Sequence, residues 1–247
     1  MRVPIEIVRA RRERVARLLR ENRYLGVRDL CARLDISEAT ARRDLAALAE
    51  AKRITRTHGG ALADFNLRFP SFQQRLTLAA AGKRWIAEEA VVQVRAGMTV
   101  YLDAGTTIYM LARLLLERDI RPLTVVTASL PVADLLADGD GIKVILVGGE
   151  FLRRQSVLVG KTTWRTLGGF AYDLAAMSVE GVNAAGLWNT QAEITRAQRT
   201  VLRRARRVLV CVDAAKLGRS APIFLAKWSD RLTLITDAAD RSLVKSS

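Results

Sequence analysis

From Met98 onward, short apolar runs alternate with amphipathic stretches. Met98–Leu102, Leu123–Thr127, Lys143–Val147, Leu174–Met177, Arg207–Val212 and Leu232–Thr236 are short and almost continuously apolar, as strands covered on both faces must be. Thr106–Glu117, Ser129–Ala137 and Ala192–Arg204 read as helices between them. This alternation predicts a parallel α/β sheet with helices on both faces. Upstream the period is helical. Ala10–Arg20 carries Val15, Leu18 and Leu19 on an arginine-rich helix, and Val27–Leu34 carries Leu30, Cys31 and Leu34. A third helix runs from Ser37 to about Glu50. At 100° per residue, Ala41, Leu45, Leu48 and Ala49 fall on one side of it. Ala39, Thr40, Arg43 and Ala47 fall on the other, with Arg42 on the flank.

Ser37 suits the N-cap of this third helix, and Glu38 complements its positive end. The tight Asp35-Ile36 turn before it makes the second and third helices a helix-turn-helix. Lys52–Arg56 then reads as a strand, and His58-Gly59-Gly60-Ala61 turns the chain back toward Leu62, the hairpin of a winged helix. A helix that packs by one face and offers arginine, threonine and small residues by the other fits the major groove of duplex DNA. The bland alternative is a three-helix domain with solvated arginines. Agreement among the cap, the helix spacing and the Gly-Gly turn argues against it.

Charge strengthens this reading. The chain of 247 residues has a formal net charge of +15, and its first 60 residues hold 15 Lys and Arg against 8 Asp and Glu, so charge density is highest where DNA would bind. Length calls for more than one small domain. We expect a winged helix-turn-helix over residues 1–63, a linker with the start of a linker helix over 64–82, and an α/β effector-sensing domain over 83–247. Phe69-Pro70-Ser71-Phe72 should break any helix, and a helix beginning around Arg75 and Lys83 should run through Trp85 to Val94. Cys31 and Cys211 lie in apolar stretches without metal-type partners, which suits a reducing cytosol. With no signal-peptide pattern and no membrane-length apolar run, the expectation is a soluble cytoplasmic protein.

In parallel α/β sheets, ligands bind at the carboxyl ends of the strands. There stand Asp103-Ala104-Gly105-Thr106-Thr107, then Thr127-Ala128-Ser129, then Gly148-Gly149-Glu150 followed by Arg153 and Arg154, and Asp213-Ala214-Ala215-Lys216-Leu217-Gly218. A glycine that lets backbone approach, threonines at a helix N-terminus and a lysine make a plausible phosphate site. The candidate effector contacts are Asp103, Gly105, Thr106, Thr107, Ser129, Gly149, Arg153 and Lys216. Asp103 would repel a phosphate, so it either accepts from sugar hydroxyls or holds the loop. Taken singly, each motif also fits a turn, a helix cap or a solvated charge.

Two groups of motifs carry a family resemblance. Ser37-Glu38-Ala39-Thr40-Ala41-Arg42-Arg43-Asp44-Leu45 and Arg56-Thr57-His58-Gly59-Gly60-Ala61 resemble the recognition helix and wing of the DeoR family of bacterial sugar-metabolism regulators. Asp103-Ala104-Gly105-Thr106-Thr107, Gly148-Gly149, Gly160, Gly181, Gly186-Leu187, Glu193 and Asp213-x-x-Lys216-x-Gly218 are similar, in order, to that family's sensor domain. The resemblance covers nearly the whole chain. It implies a bacterial protein whose C-terminal parallel-sheet sensor domain is similar in fold to ribose-phosphate isomerases and senses a phosphorylated sugar. Carried over residue by residue, it favours Asp103, Gly105, Thr106, Thr107 and Lys216 as ligand contacts. Two positions depart from the family pattern. Ala41 stands where a larger β-branched residue is usual, which calls for a compensating neighbour. Ala128 stands where asparagine is usual, which implies a different effector or a weaker pocket, with Arg153 and Arg154 available to compensate.

The resulting expectation is a repressor of a carbohydrate-metabolism operon, released from its operator by a phosphorylated sugar. Thr40 and Arg43 would face base edges, with Ala39 against a thymine methyl. Arg42, Arg53, Arg56 and His58 would hold phosphates, and Ser37 would fix the helix start. Palindromic operators suit a homodimer or homotetramer. The alternatives are an activator of the same build or a sugar-phosphate isomerase-like enzyme with Asp103 or Glu193 as base. The enzyme reading lacks a second placed carboxylate, and the only histidine, His58, sits in the wing. No His, Cys, Asp or Glu cluster has metal-ligand spacing, so neither a metal nor a cofactor is expected.

Overall fold

The computed structural model describes residues 4–22, 24–51, 53–57, 60–63 and 70–239. Two compact units divide it, Met1–Phe69 and Pro70–Ser247.

In the first unit the helical pattern becomes α1 (Ile5–Asn22), the strand β1 (Tyr24–Gly26), α2 (Val27–Leu34) and α3 (Glu38–Glu50). Strands β2 (Ile54–Thr57) and β3 (Gly60–Ala63) follow as an antiparallel pair, and β1 joins them on the far side of β3. Asp35 ends α2 in the left-handed conformation (φ 52°), which allows the tight turn into α3. Val15, Leu19, Leu30, Leu45 and Leu48 form the core of the unit. Ala41 is buried in that core, while Ala49 packs only partly against it. His58 of the expected wing lies outside the described residues.

The second unit opens with α4 (Phe72–Thr77) and α5 (Ala80–Val91). The single linker helix expected to reach Val94 is therefore two helices. Ala79 adopts φ 49° between them, and the buried Lys83 ammonium takes the carbonyls of Arg75 and Leu78 at the end of α4. Next come β4 (Thr99–Leu102), α6 (Thr106–Glu117), β5 (Leu123–Thr127), α7 (Leu130–Ala137) and β6 (Ile142–Leu146). A hairpin of β7 (Glu150–Leu152) and β8 (Val157–Val159) and helix α8 (Lys161–Gly168) lead to β9 (Tyr172–Met177). A further antiparallel piece starts with β10 (Gly181–Asn183) and β11 (Gly186–Asn189), before α9 (Ala192–Arg204) and β12 (Ala205–Cys211). The unit closes with β13 (Ile223–Ala226), which pairs with β11, and β14 (Leu232–Ile235).

Six strands form one parallel sheet in the order β14-β12-β9-β4-β5-β6. Strand alternation sends Val100, Leu102, Val125, Leu174 and Leu209 to one face, where Ile86, Ile108, Leu111 and Val132 cover them from α5, α6 and α7. Tyr101, Val126, Ala175, Val208 and Val210 point to the other face, against Leu167, Ala197 and Val201 of α8 and α9. Both faces are buried, which is why these strands read as unbroken apolar runs. Sequence connection proceeds from β4 outward to β5 and β6, then resumes on the opposite side of β4 with β9. The gap beyond the carboxyl ends of β4 and β9 is thus the topological switch point, where open α/β sheets place ligands.

Candidate DNA interface and effector site

In the first unit the candidate recognition surface lies on α3. The Ser37 hydroxyl accepts from the Thr40 amide at 3.3 Å and lies 3.0 Å from the Thr40 hydroxyl, fixing the helix start. Ala39, Arg42 and Arg43 are exposed, and Thr40 is half-buried. Arg42 pairs with Glu38 one turn back at 3.3 Å, and Arg43 Nε donates to the Ala39 carbonyl at 3.3 Å. Arg53 is engaged differently. Its guanidinium forms a two-pronged pair with Glu13 of α1, at 2.6 and 2.8 Å. Arg56 lies in β2, the first wing strand.

Sequence reasoning missed the residue that seats this helix. Asp44 is only 1% exposed on the packed face of α3. It accepts from Arg11 Nε at 2.5 Å, Arg11 Nη2 at 3.2 Å and Arg12 Nε at 3.0 Å. The two arginines that looked like generic α1 charge therefore clamp the recognition helix from behind. A signal was present: Asp44 falls three residues after Ala41 and four before Leu48, inside the apolar stripe.

In the second unit Gly105 caps α6 with φ 126°, a conformation that side chains rarely adopt. A Cβ at Gly105 would lie 3.7 Å from the Ser178 Cβ, so the loops after β4 and β9 meet here at the switch point. No side chain caps α6. Thr106 and Thr107 are 5% and 6% exposed, and among the described residues their hydroxyls meet no hydrogen-bond partner. The start of α7 is different. There Ser129 accepts from the Val132 amide, Leu130 N donates to the Ser156 carbonyl, and Pro131 has no N–H to offer. Of the two helix starts named from the sequence, the one on α6 offers unclaimed donors to an anion, and the one on α7 does not.

The other candidates take distinct places. Asp103 is 2% exposed and faces inward. It accepts from the Tyr101 hydroxyl at 2.9 Å and from Gln198 Nε2 at 2.6 Å, while Gln198 also donates to the Ser178 carbonyl and accepts from Asn189. Burial pushes the Asp103 carboxyl up, against hydrogen bonds from Gln198, Ala104, Tyr101 and Ser178 that favour its charged form. Both carboxylate oxygens are therefore engaged by protein donors. Gln198 was invisible in the sequence except as a polar residue on the buried face of α9. Lys216 pairs with Glu180, two residues beyond Ser178, at the rim of the switch point. Gly149 needs glycine for packing, since a Cβ there would lie 2.1 Å from Thr163 Oγ1 and 2.4 Å from the Val159 carbonyl. Ala128 is buried in the core with Val147 and Val157. Arg153, on the β7–β8 hairpin, lines a cleft with Phe72 of α4, Tyr109 of α6 and Asp134 of α7. Among the described residues, no group of three or more His, Cys, Asp or Glu could hold a metal ion, and no helix is long and apolar enough to cross a membrane.

A helix-turn-helix unit followed by an α/β unit with an open helix start at its switch point defines a ligand-responsive DNA-binding regulator. Comparison with known proteins makes the class specific. Residues 11–65 match the DeoR-like helix-turn-helix domain, and residues 79–238 match the DeoR C-terminal sensor domain. The chain belongs to the DeoR family of DNA-binding transcriptional regulators, and it is not an enzyme. It is similar to the HTH-type transcriptional repressor GlcR of Bacillus subtilis, 31% identical over 89% of this chain and 84% of that one. It is also similar to the glycerol-3-phosphate regulon repressor of Escherichia coli, 30% identical over 91% and 88%. Among solved structures it is similar to ribose 5-phosphate isomerase A of Methanocaldococcus jannaschii. The TM-score is 0.39 at 20% identity, over 55% of this chain and about half (53%) of that one.

Proposed function

We propose that this regulator represses a carbohydrate-metabolism operon and leaves its operator when a phosphorylated sugar fills the sensor unit. The observation that carries the effector half is the α6 start: a helix N-terminus without a side-chain cap, with two buried threonine hydroxyls that meet no partner among the described residues, at the topological switch point. A dianionic phosphate satisfies such donors, and the helix dipole favours its charge. Lys216 supplies a cation at the rim by exchanging its Glu180 partner, and Asp103 with Gln198 holds the loop in place. On the DNA half, Arg43 and Thr40 face base edges with Ala39, while Arg42 and Arg56 contact phosphates. Repressors named among the relatives support the direction of control. The protein acts in the cytoplasm as a homodimer or homotetramer on a palindromic site.

Fluorescence anisotropy on DNA from upstream of its own gene, at fixed salt, tests both halves. Selective binding that one sugar phosphate of a panel weakens is the expected result. Arg43→Ala should cost about 1–3 kcal/mol on the operator and relax specificity at one position. Binding curves for Arg43→Ala that superpose on wild type refute the base-reading assignment. Selective binding untouched by the whole panel refutes the effector.

A further inference from the structure

Strand β6 breaks a rule that the rest of its sheet obeys. It is apolar but for Lys143, yet it is the one strand of the six-stranded sheet in which no side chain is buried. Strand β14 forms the opposite edge, but it ends in the buried Ile235 and is followed by the buried Thr236. On β6, Val144 and Ile145 are half-buried and Leu146 is 40% exposed. We propose that the outer edge of β6 is where two copies of this chain join, strand to strand, about a two-fold axis at Val144. The proposal rests on the homo-oligomer reading above and gives that reading a place and a register.

The backbone makes this edge complementary to itself. The Gly141 carbonyl accepts from the Leu123 amide of β5, and the Val147 amide donates to the Thr127 carbonyl. Alternation along the strand therefore turns Lys143 and Ile145 toward β5 with their amides and carbonyls, and turns Ile142, Val144 and Leu146 outward. The Ile142 amide closes a turn onto the Gly139 carbonyl. Among the described residues the Ile142 carbonyl, both Val144 groups and both Leu146 groups meet no hydrogen-bond partner. Set antiparallel against a second copy, these groups answer one another. Each Val144 exchanges both bonds with its mate, and each Leu146 amide reaches the Ile142 carbonyl of the other copy. Only the Leu146 carbonyl is left to water, at the rim.

Side chains agree with the same register. Ile142, Val144 and Leu146 share one face of the strand, so Val144 meets Val144 and Ile142 meets Leu146 across the join. Ile142 and Val144 already pack partly against the core beneath α5, α6 and α7, and the apolar row extends that core from one copy into the other. On the opposite face Lys143 lies across from Ile145, so the two lysines are not in direct opposition. Centring on Val144 also overlays the strand along its whole length, Ile142 to Leu146, whereas any other centre leaves an end unpaired. A long-lived open apolar edge invites aggregation, and pairing two such edges about a two-fold axis closes both at once.

Sedimentation velocity of the full chain, from sub-micromolar to tens of micromolar, tests the interface. Leu146→Lys alters a side chain that is already exposed, so the melting curve serves to show that the variant is folded. The expected result is self-association of the wild type and an association step weakened at least tenfold in Leu146→Lys. The register has its own readout. A two-fold axis at Val144 sets the two Val144 Cα atoms about 5.5 Å apart, within disulfide range. It holds the two Leu146 Cα atoms roughly 13 Å apart along the strands. Mild oxidation should therefore give a covalent dimer of Val144→Cys and none of Leu146→Cys, with wild type setting the background from Cys31 and Cys211. Unchanged association in Leu146→Lys together with no covalent dimer of Val144→Cys overturns the β6 edge and leaves the homo-oligomer reading standing. Crosslinking through Leu146→Cys but not Val144→Cys overturns the register. A wild type that stays monomeric throughout overturns both the edge and the oligomer.

Discussion

Replacing Asp44 by alanine removes a charged group buried on the packed face of α3. The carboxylate is 1% exposed and takes three contacts of 2.5–3.2 Å from two guanidiniums. Hydrogen bonds to charged groups contribute about 1.5–3 kcal/mol each when lost. Arg11 and Arg12 are 22% and 37% exposed, so once freed they turn toward water and recover part of that loss. The expected destabilisation is therefore about 2–3 kcal/mol for Asp44→Ala. A unit of this size has a total stability of roughly 3–10 kcal/mol, so the variant is left marginal. Its melting temperature should fall by at least about 8 °C. The double variant Arg11→Ala/Arg12→Ala should be worse, about 3–5 kcal/mol, because it strands a buried carboxylate. Urea unfolding of the full chain, followed by amide exchange in α1 and α3, reads both numbers. A wild-type midpoint for Asp44→Ala, or a double variant milder than Asp44→Ala, refutes the clamp.

Three further outcomes follow from the sensor unit. Gly149→Ala should destabilise it by about 2 kcal/mol or more, since the new methyl meets the Val159 carbonyl and Thr163 in a strained backbone; an unchanged denaturation midpoint contradicts this packing. Because Asp103 has a raised pKa in the folded state, its contribution is fully present below the unfolded value near 4 and is lost as pH rises through the folded value. Wild type should therefore lose stability over that rise while Asp103→Asn shows no such slope, and parallel stability–pH curves overturn the assignment. Burial pushes the Cys211 thiol up to about 12, whereas Cys31 is only half-buried. A thiol reagent should accordingly modify Cys31 in the native protein and Cys211 only on unfolding, and equal rates argue against that burial.

Local pattern placed most of the sheet. Leu123–Thr127, Thr106–Glu117 and Ala192–Arg204 match the structure residue for residue, because strands covered on both faces and amphipathic helices leave unambiguous periodicities. Val27–Leu34 and the Ser37 cap were legible for a similar reason, since capping is a matter of neighbours along the chain. The β7–β8 hairpin, α8 and the β10-β11-β13 piece were not read. Their strands are three or four residues long, and their partners are chosen by tertiary pairing rather than by local period.

The same division runs through the sites. By itself the sequence determined that the chain carries a helix-turn-helix and a glycine-threonine loop at a strand end, because both are contiguous and each residue type has a local mechanical reason. Only the tertiary structure decided which charges are free to work. Arg11, Arg12 and Arg53 are arginines like Arg43 in composition, yet they are committed to Asp44 and Glu13, whereas among the described residues Arg42 pairs only with Glu38 on the exposed face of its own helix. Asp103 turns inward to Tyr101 and Gln198, while Arg153 lines a cleft with Tyr109 and Asp134. A charged side chain acts through whatever lies within a few ångströms of its tip, and those neighbours, often dozens of residues away in sequence, are supplied by the fold.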